Sequence, residues 1–321
     1  MALSTKVKFS VTDLRAYYFV DNGIIKAVDR VSFAINENES LGIAGESACG
    51  KSTLGAAILR TMQPAGKIIG GSIILEDCDI VKLSNSEFNK KIRWKKIAMV
   101  FQGAMNSLDP VYTIGDQMRE IVEQHGFKGH IKEKISESLK QVGLDDSASK
   151  RYPHELSGGM KQRVVIAMAL LLEPEIVIAD EPTTALDVVV QAQIINLLKR
   201  LKKEKGMTII LITHDMAVIS EIADRIGIMY AGQIVEFGSA LEIYRNPKHP
   251  YTQALISSIP KLHSDDRQIH YIKGNPPSML NLGSGCRFYS RCPYAMNICK
   301  QDPPEIKTQT GYTLCWLYKE P

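Results

Sequence analysis

The sequence predicts an α/β protein built on a doubly wound parallel sheet, and three observations predict it. Short apolar runs such as Ile176–Asp180 and 207–213 alternate with helical stretches, the signature of strands buried on both faces. A glycine-rich loop, Gly45-Glu46-Ser47-Ala48-Cys49-Gly50-Lys51-Ser52, joins a short apolar strand to a helix and fits G-x-x-x-x-G-K-[ST]. Around this frame stand an N-terminal stretch with antiparallel alternation, a helical insertion and a small cysteine-rich C-terminal extension.

Positions 6–40 alternate apolar and polar residues on either side of Asn22-Gly23, which predicts two antiparallel strands and a turn. Leu41 to Gly45 reads as a buried strand, and Lys51 to Met62 as a helix stopped by Pro64. Strand-like stretches at 72–76 and 97–101 flank a basic segment, Phe88 to Lys96, that permits a helix. Residues 104–172 are richer in Glu, Lys and Ser and have helical spacing, with Gly143 placed as a C-cap. The α/β pattern then returns: strand 176–180, helix 188–205 ended by Gly206, strand 207–213, helix 216–223, strand 226–230 and an Ala231-Gly232 turn. Beyond about residue 245, where most of the fourteen prolines fall, a loop-rich extension without a large core of its own is expected. The domain division expected is therefore 1–245, with a helical subdomain at 104–172, and 246–321.

Composition narrows the classes. The chain has 321 residues, of which 45% are hydrophobic and 23% charged, which suits a globular protein with a sizeable core and excludes disorder. Its longest apolar run, Val164 to Leu172, ends at Glu173-Pro174 and is far short of the roughly 20 residues that cross a bilayer. The N-terminus has no apolar signal core, so a cytosolic chain is expected. A net charge of +4, without a dense basic patch interleaved with aromatics, argues against a nucleic-acid partner.

The chemistry lies in a few constellations. In the loop, backbone N–H groups and the helix N-terminus can cradle phosphates, Lys51 can neutralise the β/γ oxygens and Ser52 can ligate Mg²⁺, with Thr53 following. Asp180 and Glu181 close an apolar strand. The first is placed to hold Mg²⁺, the second to orient or deprotonate an attacking water. His214 follows the strand 207–213 and is a candidate γ-phosphate contact; this requires strand ends at Gly45, Asp180 and His214 to share a crevice. Ser157-Gly158-Gly159 opens an apolar helix, a second arrangement able to bind an anion. Cys49 lies beside a lysine and a helix N-terminus, so a lowered thiol pKa is expected, with inactivation by thiol reagents and protection by ATP.

Together these residues resemble the ABC ATPase family. The phosphate loop, Gln102 in VFQ, LSGGMKQR at 156–163, ADEP, Ala185-Leu186-Asp187 and His214 stand in that family's order over about residues 6–240. The resemblance implies a P-loop NTPase fold of the ABC type and two cassettes that sandwich ATP. Ser157, Gly158 and Gly159 would then meet the γ-phosphate on a partner's loop, and Asp187 would contact the partner. Gln102 would sense Mg²⁺ and water, while Tyr18 would stack on adenine, with Tyr17 and Phe19 competing for that role. The phosphate loop departs from the pattern: GESGSGKS is usual, whereas Ala48 and Cys49 stand here. Ala48 adopts positive φ less readily than glycine.

VFQGAMNSLDP, ADEPTTALDVVVQAQI, HPYTQALISSIP and KGNPP resemble the ATP-binding subunits of dipeptide and oligopeptide permeases over nearly the whole chain. That resemblance implies a subunit on the cytoplasmic face of the membrane that powers peptide import. Its partners would be a second ABC ATPase, two transmembrane permease subunits and an extracytoplasmic peptide-binding protein. Residues 104–172 would dock on the permeases. Nickel importers of the same branch are the alternative, and a non-transport ABC ATPase is a more distant one. Cys286, Cys292, Cys299 and Cys315 offer four soft ligands for zinc or an iron–sulfur cluster, with free or oxidised thiols as the remaining option. The resemblance favours a [4Fe–4S] cluster.

Overall fold

The computed structural model describes residues 6–259 and 272–319. The first five residues, and Pro260 at the end of HPYTQALISSIP, lie outside the described residues. The chain divides into two compact units, residues 1–81 with 212–321, and residues 82–211.

The first unit begins with the long hairpin that the alternation predicts: β1 (Val7–Val20) pairs antiparallel with β2 (Gly23–Asn36) across an Asp21-Asn22 turn. β3 (Leu41–Ala44) follows, wholly buried, and leads through the phosphate loop into α1 (Lys51–Ile58). The helix stops four residues before the expected Met62. Arg60 turns left-handed at φ 53° and sends its guanidinium to the carbonyls of Ile80 and Val81, so the chain leaves the helix before Pro64 is reached. β4 (Gly66–Leu75) pairs with β1 on the side opposite β2, and β5 (Cys78–Asp79) closes that four-stranded antiparallel sheet. β4 starts six residues before the expected strand at 72–76. Its first half, GKIIG, pairs with Tyr18 to Arg15 although glycines interrupt its apolar pattern.

The second unit carries α2 (Asn85–Lys91), started by a capping box in which Ser84 and Glu87 bond reciprocally. Three strands run through it in the order β8-β7-β6, with β6 parallel to β7: β6 (Ile97–Val100), β7 (Ile176–Asp180) and β8 (Thr208–Ile212), the last residue of which begins the return to the first unit. Every residue in these strands is buried, as expected of parallel strands covered on both faces. The helical insertion holds α3 (Ile114–Gln124), α4 (Ile131–Gln141) and α5 (Gly158–Leu170), joined by 3₁₀ turns. Gly143, one residue past the C-cap of α4, is left-handed at φ 74°. α6 (Val188–Lys205) ends at a left-handed Gly206.

In the returning part of the first unit come α7 (Met216–Ile222), β9 (Arg225–Tyr230) and β10 (Gln233–Ser239), with β9 parallel to β3. α8 (Ala240–Arg245) and α9 (Pro250–Ser257) follow. The extension is more than loop. β11 (Glu305–Lys307) and β12 (Tyr312–Leu314) form a hairpin whose second strand pairs with β10, giving the order β11-β12-β10-β9-β3 within this unit. Phe288 is buried against Tyr230 and Tyr251, with ring centroids 5.3 and 5.4 Å apart.

α9 is capped by His249, whose Nδ1 accepts the N–H of Tyr251 at 3.1 Å, and the ring is only 1% exposed. Burial pushes its pKa down to about 3. The unfolded chain takes up this proton near pH 6.5, so the stability that the neutral ring contributes is complete above 6.5 and is lost as pH falls. Between pH 6.5 and 5 the loss amounts to about 2 kcal/mol. His249→Asn keeps a capping acceptor without a titrating ring. Urea titrations across pH 5–7 are expected to show a flatter acid limb in this variant than in the wild type.

Candidate functional site

The phosphate loop is shaped by steric constraint. Gly45 (φ 154°) and Gly50 (φ 107°) stand where a Cβ would lie 2.1 Å from the carbonyl oxygen of Met229 and 2.0 Å from that of Ala27, so only glycine fits either position. Between them Ala48 is left-handed at φ 61°, which costs an L-residue about 1 kcal/mol. The sequence departure at position 48 is thus accommodated as local backbone strain. Lys51 is buried, and its ammonium donates to the carbonyls of Gly45 (2.8 Å) and Glu46 (2.9 Å). This fixes a positive charge inside the loop. No side chain among the described residues caps α1, whose first N–H groups belong to Lys51, Ser52 and Thr53.

Cys49 departs from its expected chemistry. Lys51 approaches its sulfur at 3.7 Å and lowers the pKa, but burial is the larger effect and pushes the thiol up. Only 5% exposed, Cys49 is a protonated, shielded thiol, and the expectation of a reactive thiolate is overturned. Peptide mapping after brief alkylation of the native chain is expected to find exposed Cys78 labelled and Cys49 unlabelled until the chain is denatured.

Of the three candidate adenine-stacking residues, Tyr17 is withdrawn from the surface because its hydroxyl donates to Asp29 in the core, whereas Tyr18 is half-buried and Phe19 exposed. His214 is exposed just after β8, ahead of Asp215, which caps α7.

In the second unit the carboxylates divide as their positions demand. Asp180 ends β7 and is 2% exposed. Glu181 leaves the strand with φ 45°, a conformation costly for this residue type, and that turn brings its carboxylate out to half-burial. Its Oε2 accepts from Gln102 Nε2 and from Thr184 Oγ1, each at 2.9 Å. Gln102 and Glu181, far apart in sequence, are thus brought together. Thr184 was not singled out from the sequence, though its place three residues after Glu181 was the available signal.

Ser157 is the N-cap of α5, accepting the Met160 N–H, while Gly158 and Gly159 form its first turn. A Cβ on Gly159 would lie 2.8 Å from Val190 Cγ1, so glycine lets the starts of α5 and α6 approach closely. Asp187 caps α6 through the Val190 N–H at 2.9 Å. Ser157, Gly159 and Asp187 thus each have a structural role at these helix starts.

The tail is fastened to the rest of the first unit by a second constellation. Arg287 pairs with Asp29, both nearly inaccessible, while Asn281 accepts the Ile24 N–H on its side-chain Oδ1 at 3.0 Å and donates its own backbone N–H to the Ile24 carbonyl at 2.8 Å. Arg291 places its guanidinium on the Glu46 carboxylate with bonds of 2.7 and 2.9 Å. An arginine between two cysteines was the only sequence signal for this pair.

Among the described residues no three His, Cys, Asp or Glu side chains form a ready cage for one metal ion, so the expected cluster receives no support from that quarter. The cysteines do share one neighbourhood. Burial, then repulsion from Cys299, Cys315 and Cys292, pushes Cys286 up to about 11. Cys315 is pushed to about 11 by burial and by Cys292 and Cys299, and burial also raises Cys292. The Cys286 N–H donates to the Cys299 carbonyl at 2.9 Å.

Comparison with known proteins identifies this assembly of motifs. Residues 28–184 match the ABC transporter family, and 235–299 match the oligopeptide/dipeptide transporter C-terminal region. The chain is 47% identical to the dipeptide transport ATP-binding protein DppD of Caldanaerobacter subterraneus subsp. tengcongensis over 97% of both chains. It is 43% identical to the oligopeptide transport ATP-binding protein AppD of Bacillus subtilis, over 97% of this chain and 96% of that one. Among solved structures, a dimeric ATP-binding cassette in a post-hydrolysis state bound to ADP and Pi matches with a TM-score of 0.64 and 30% identity, over 72% of this chain and 98% of that one. The chain belongs to the ABC transporter ATPases, among those that carry the oligopeptide/dipeptide transporter C-terminal region.

Proposed function

We propose that this chain binds and hydrolyses Mg-ATP to power the import of dipeptides or oligopeptides through membrane permease subunits. The observation that carries the reading is a full-length match to a dipeptide transport ATP-binding protein, including the C-terminal region. No helix among the described residues is long and apolar enough to cross a membrane, consistent with a peripheral subunit whose partners provide the channel. The finer partnership is a second ABC ATPase, two permease subunits and an extracytoplasmic peptide-binding protein. The cassette at 1–245 supplies the motor, with 104–172 as its permease-facing part and 246–321 as the appended region.

In this reading the loop residues Gly45 to Thr53 bind the phosphates, with backbone N–H groups and Lys51 opposing the charge. Ser52, Gln102 and Asp180 offer hydroxyl, amide and carboxylate oxygens, a donor set suited to Mg²⁺. The ion's contribution is to neutralise charge on the phosphate oxygens. Glu181 takes a proton from the attacking water, oriented for this by Gln102 and Thr184. His214 contacts the γ-phosphate. Ser157, Gly158, Gly159 and Asp187 act on the nucleotide held by the partner cassette, and Tyr18 stacks on adenine. Proton transfer of this kind contributes about 10²–10⁴ in rate. Glu181→Gln is therefore expected to bind ATP with near wild-type affinity and to lose at least about 100-fold in kcat in the reconstituted transporter. Wild-type turnover in that variant would remove Glu181 from the role.

The cysteines are read as the ligands of a [4Fe–4S] cluster with a structural role, zinc being the alternative. Four thiols within one segment, with Cys286 and Cys315 each sensing the neighbouring cysteines, are what supports this reading. Four metal–thiolate bonds would pin the segment. Chain purified without oxygen is expected to hold about four irons with equimolar sulfide, lost in Cys286→Ser. Zinc without sulfide would select the alternative.

A further inference from the structure

Glu46 places a carboxylate in the loop that, in the reading above, must receive a polyphosphate. Left to itself, that charge would oppose the ligand. It is not left to itself. Arg291 holds both carboxylate oxygens in a fork, donates Nε–H to the Lys273 carbonyl at 2.9 Å, and shares its remaining N–H groups with the Tyr230 hydroxyl (3.2 Å) and the Ile272 carbonyl (3.4 Å). All five guanidinium donors are occupied, the side chain is 4% exposed, and the plane lies near the rings of Tyr230 and Phe288. The backbone is held at the same residue, since the Glu46 N–H donates to the Tyr251 hydroxyl at 2.9 Å. A guanidinium with every donor engaged has one available geometry, so its hold on Glu46 is directional as well as electrostatic.

We infer that Arg291 is a positioning residue for nucleotide binding: by neutralising and tethering Glu46 it keeps the phosphate loop receptive to ATP. Nucleotide affinity in the cassette thereby depends on a side chain of the C-terminal region. The inference rests on the reading of residues 45–53 as the ATP site.

The test is ATP affinity of the full-length chain, measured by displacement of a fluorescent ATP analogue, together with KM and kcat in the reconstituted transporter. Arg291→Met exposes an unpaired carboxylate and is expected to weaken ATP binding about tenfold, raising KM while kcat at saturating ATP stays within about twofold. Glu46→Gln removes the offending charge, and its own affinity is the reference against which the double variant is read. Placed in the Arg291→Met background, it is expected to restore most of the lost affinity. A double variant as weak as Arg291→Met would overturn the inference, because a purely structural arginine could not be rescued at position 46. Wild-type affinity in Arg291→Met overturns it as well. Should that variant not fold, Arg291→Lys keeps the charge and loses the fork; about threefold weaker binding is expected, and unchanged binding overturns the inference. Lys51→Ala separates the two levels: if it binds ATP as tightly as the wild type, the assignment of the ATP site itself has failed.

Discussion

The constraint on which the first unit depends is the close approach of the phosphate loop to the backbone behind it. Carbonyls of Met229 and Ala27 lie so near Gly45 and Gly50 that a single methyl group at either place would have to displace main chain. The loop is therefore pressed against β9 and β2. Ala48, itself exposed, stands between these two fixed points at an unfavourable left-handed φ. Burial of Lys51 and Cys49 follows from the same compression. It supplies a charge in the loop and at the same time makes the neighbouring thiol inert.

The cysteine-bearing tail belongs to the same body. Its hairpin continues the strand order past β10, Phe288 fills a core shared with β9 and α9, and the Arg287–Asp29 pair is buried against the N-terminal sheet. Removing one partner of such a pair costs about 3–5 kcal/mol, because the other is left charged and dry. The tail thus contributes to the stability of the unit that carries the phosphate loop.

Much of this was legible in the sequence. Strand 176–180 and helix 188–205 with Gly206 coincide with β7 and α6, because unbroken apolar runs and a glycine stop are local signals. The phosphate loop and the Asp180-Glu181 pair were legible for the same reason. What was not legible depends on distant parts of the chain. α1 is cut short by a guanidinium reaching residues twenty positions away, and β12 becomes a strand only because β10 offers it an edge. The Cys49 thiol was misjudged because neighbouring charge is visible in a sequence whereas depth of burial is not. Glu46–Arg291 lies 245 positions apart, and no spacing rule connects its members.

The hairpin β11–β12 bears on solubility. Without it β10, a strand of six buried residues, would offer its outer row of N–H and C=O groups to any passing chain. β12 covers part of that row, and β11 ends it with a strand only three residues long whose outer positions are Glu305 and Lys307. Short, charged and twisted edges are poor templates for further pairing. The proline-rich tail therefore serves as a terminator of the sheet, sparing a crowded cell the ribbon-like self-association that an open β10 would invite.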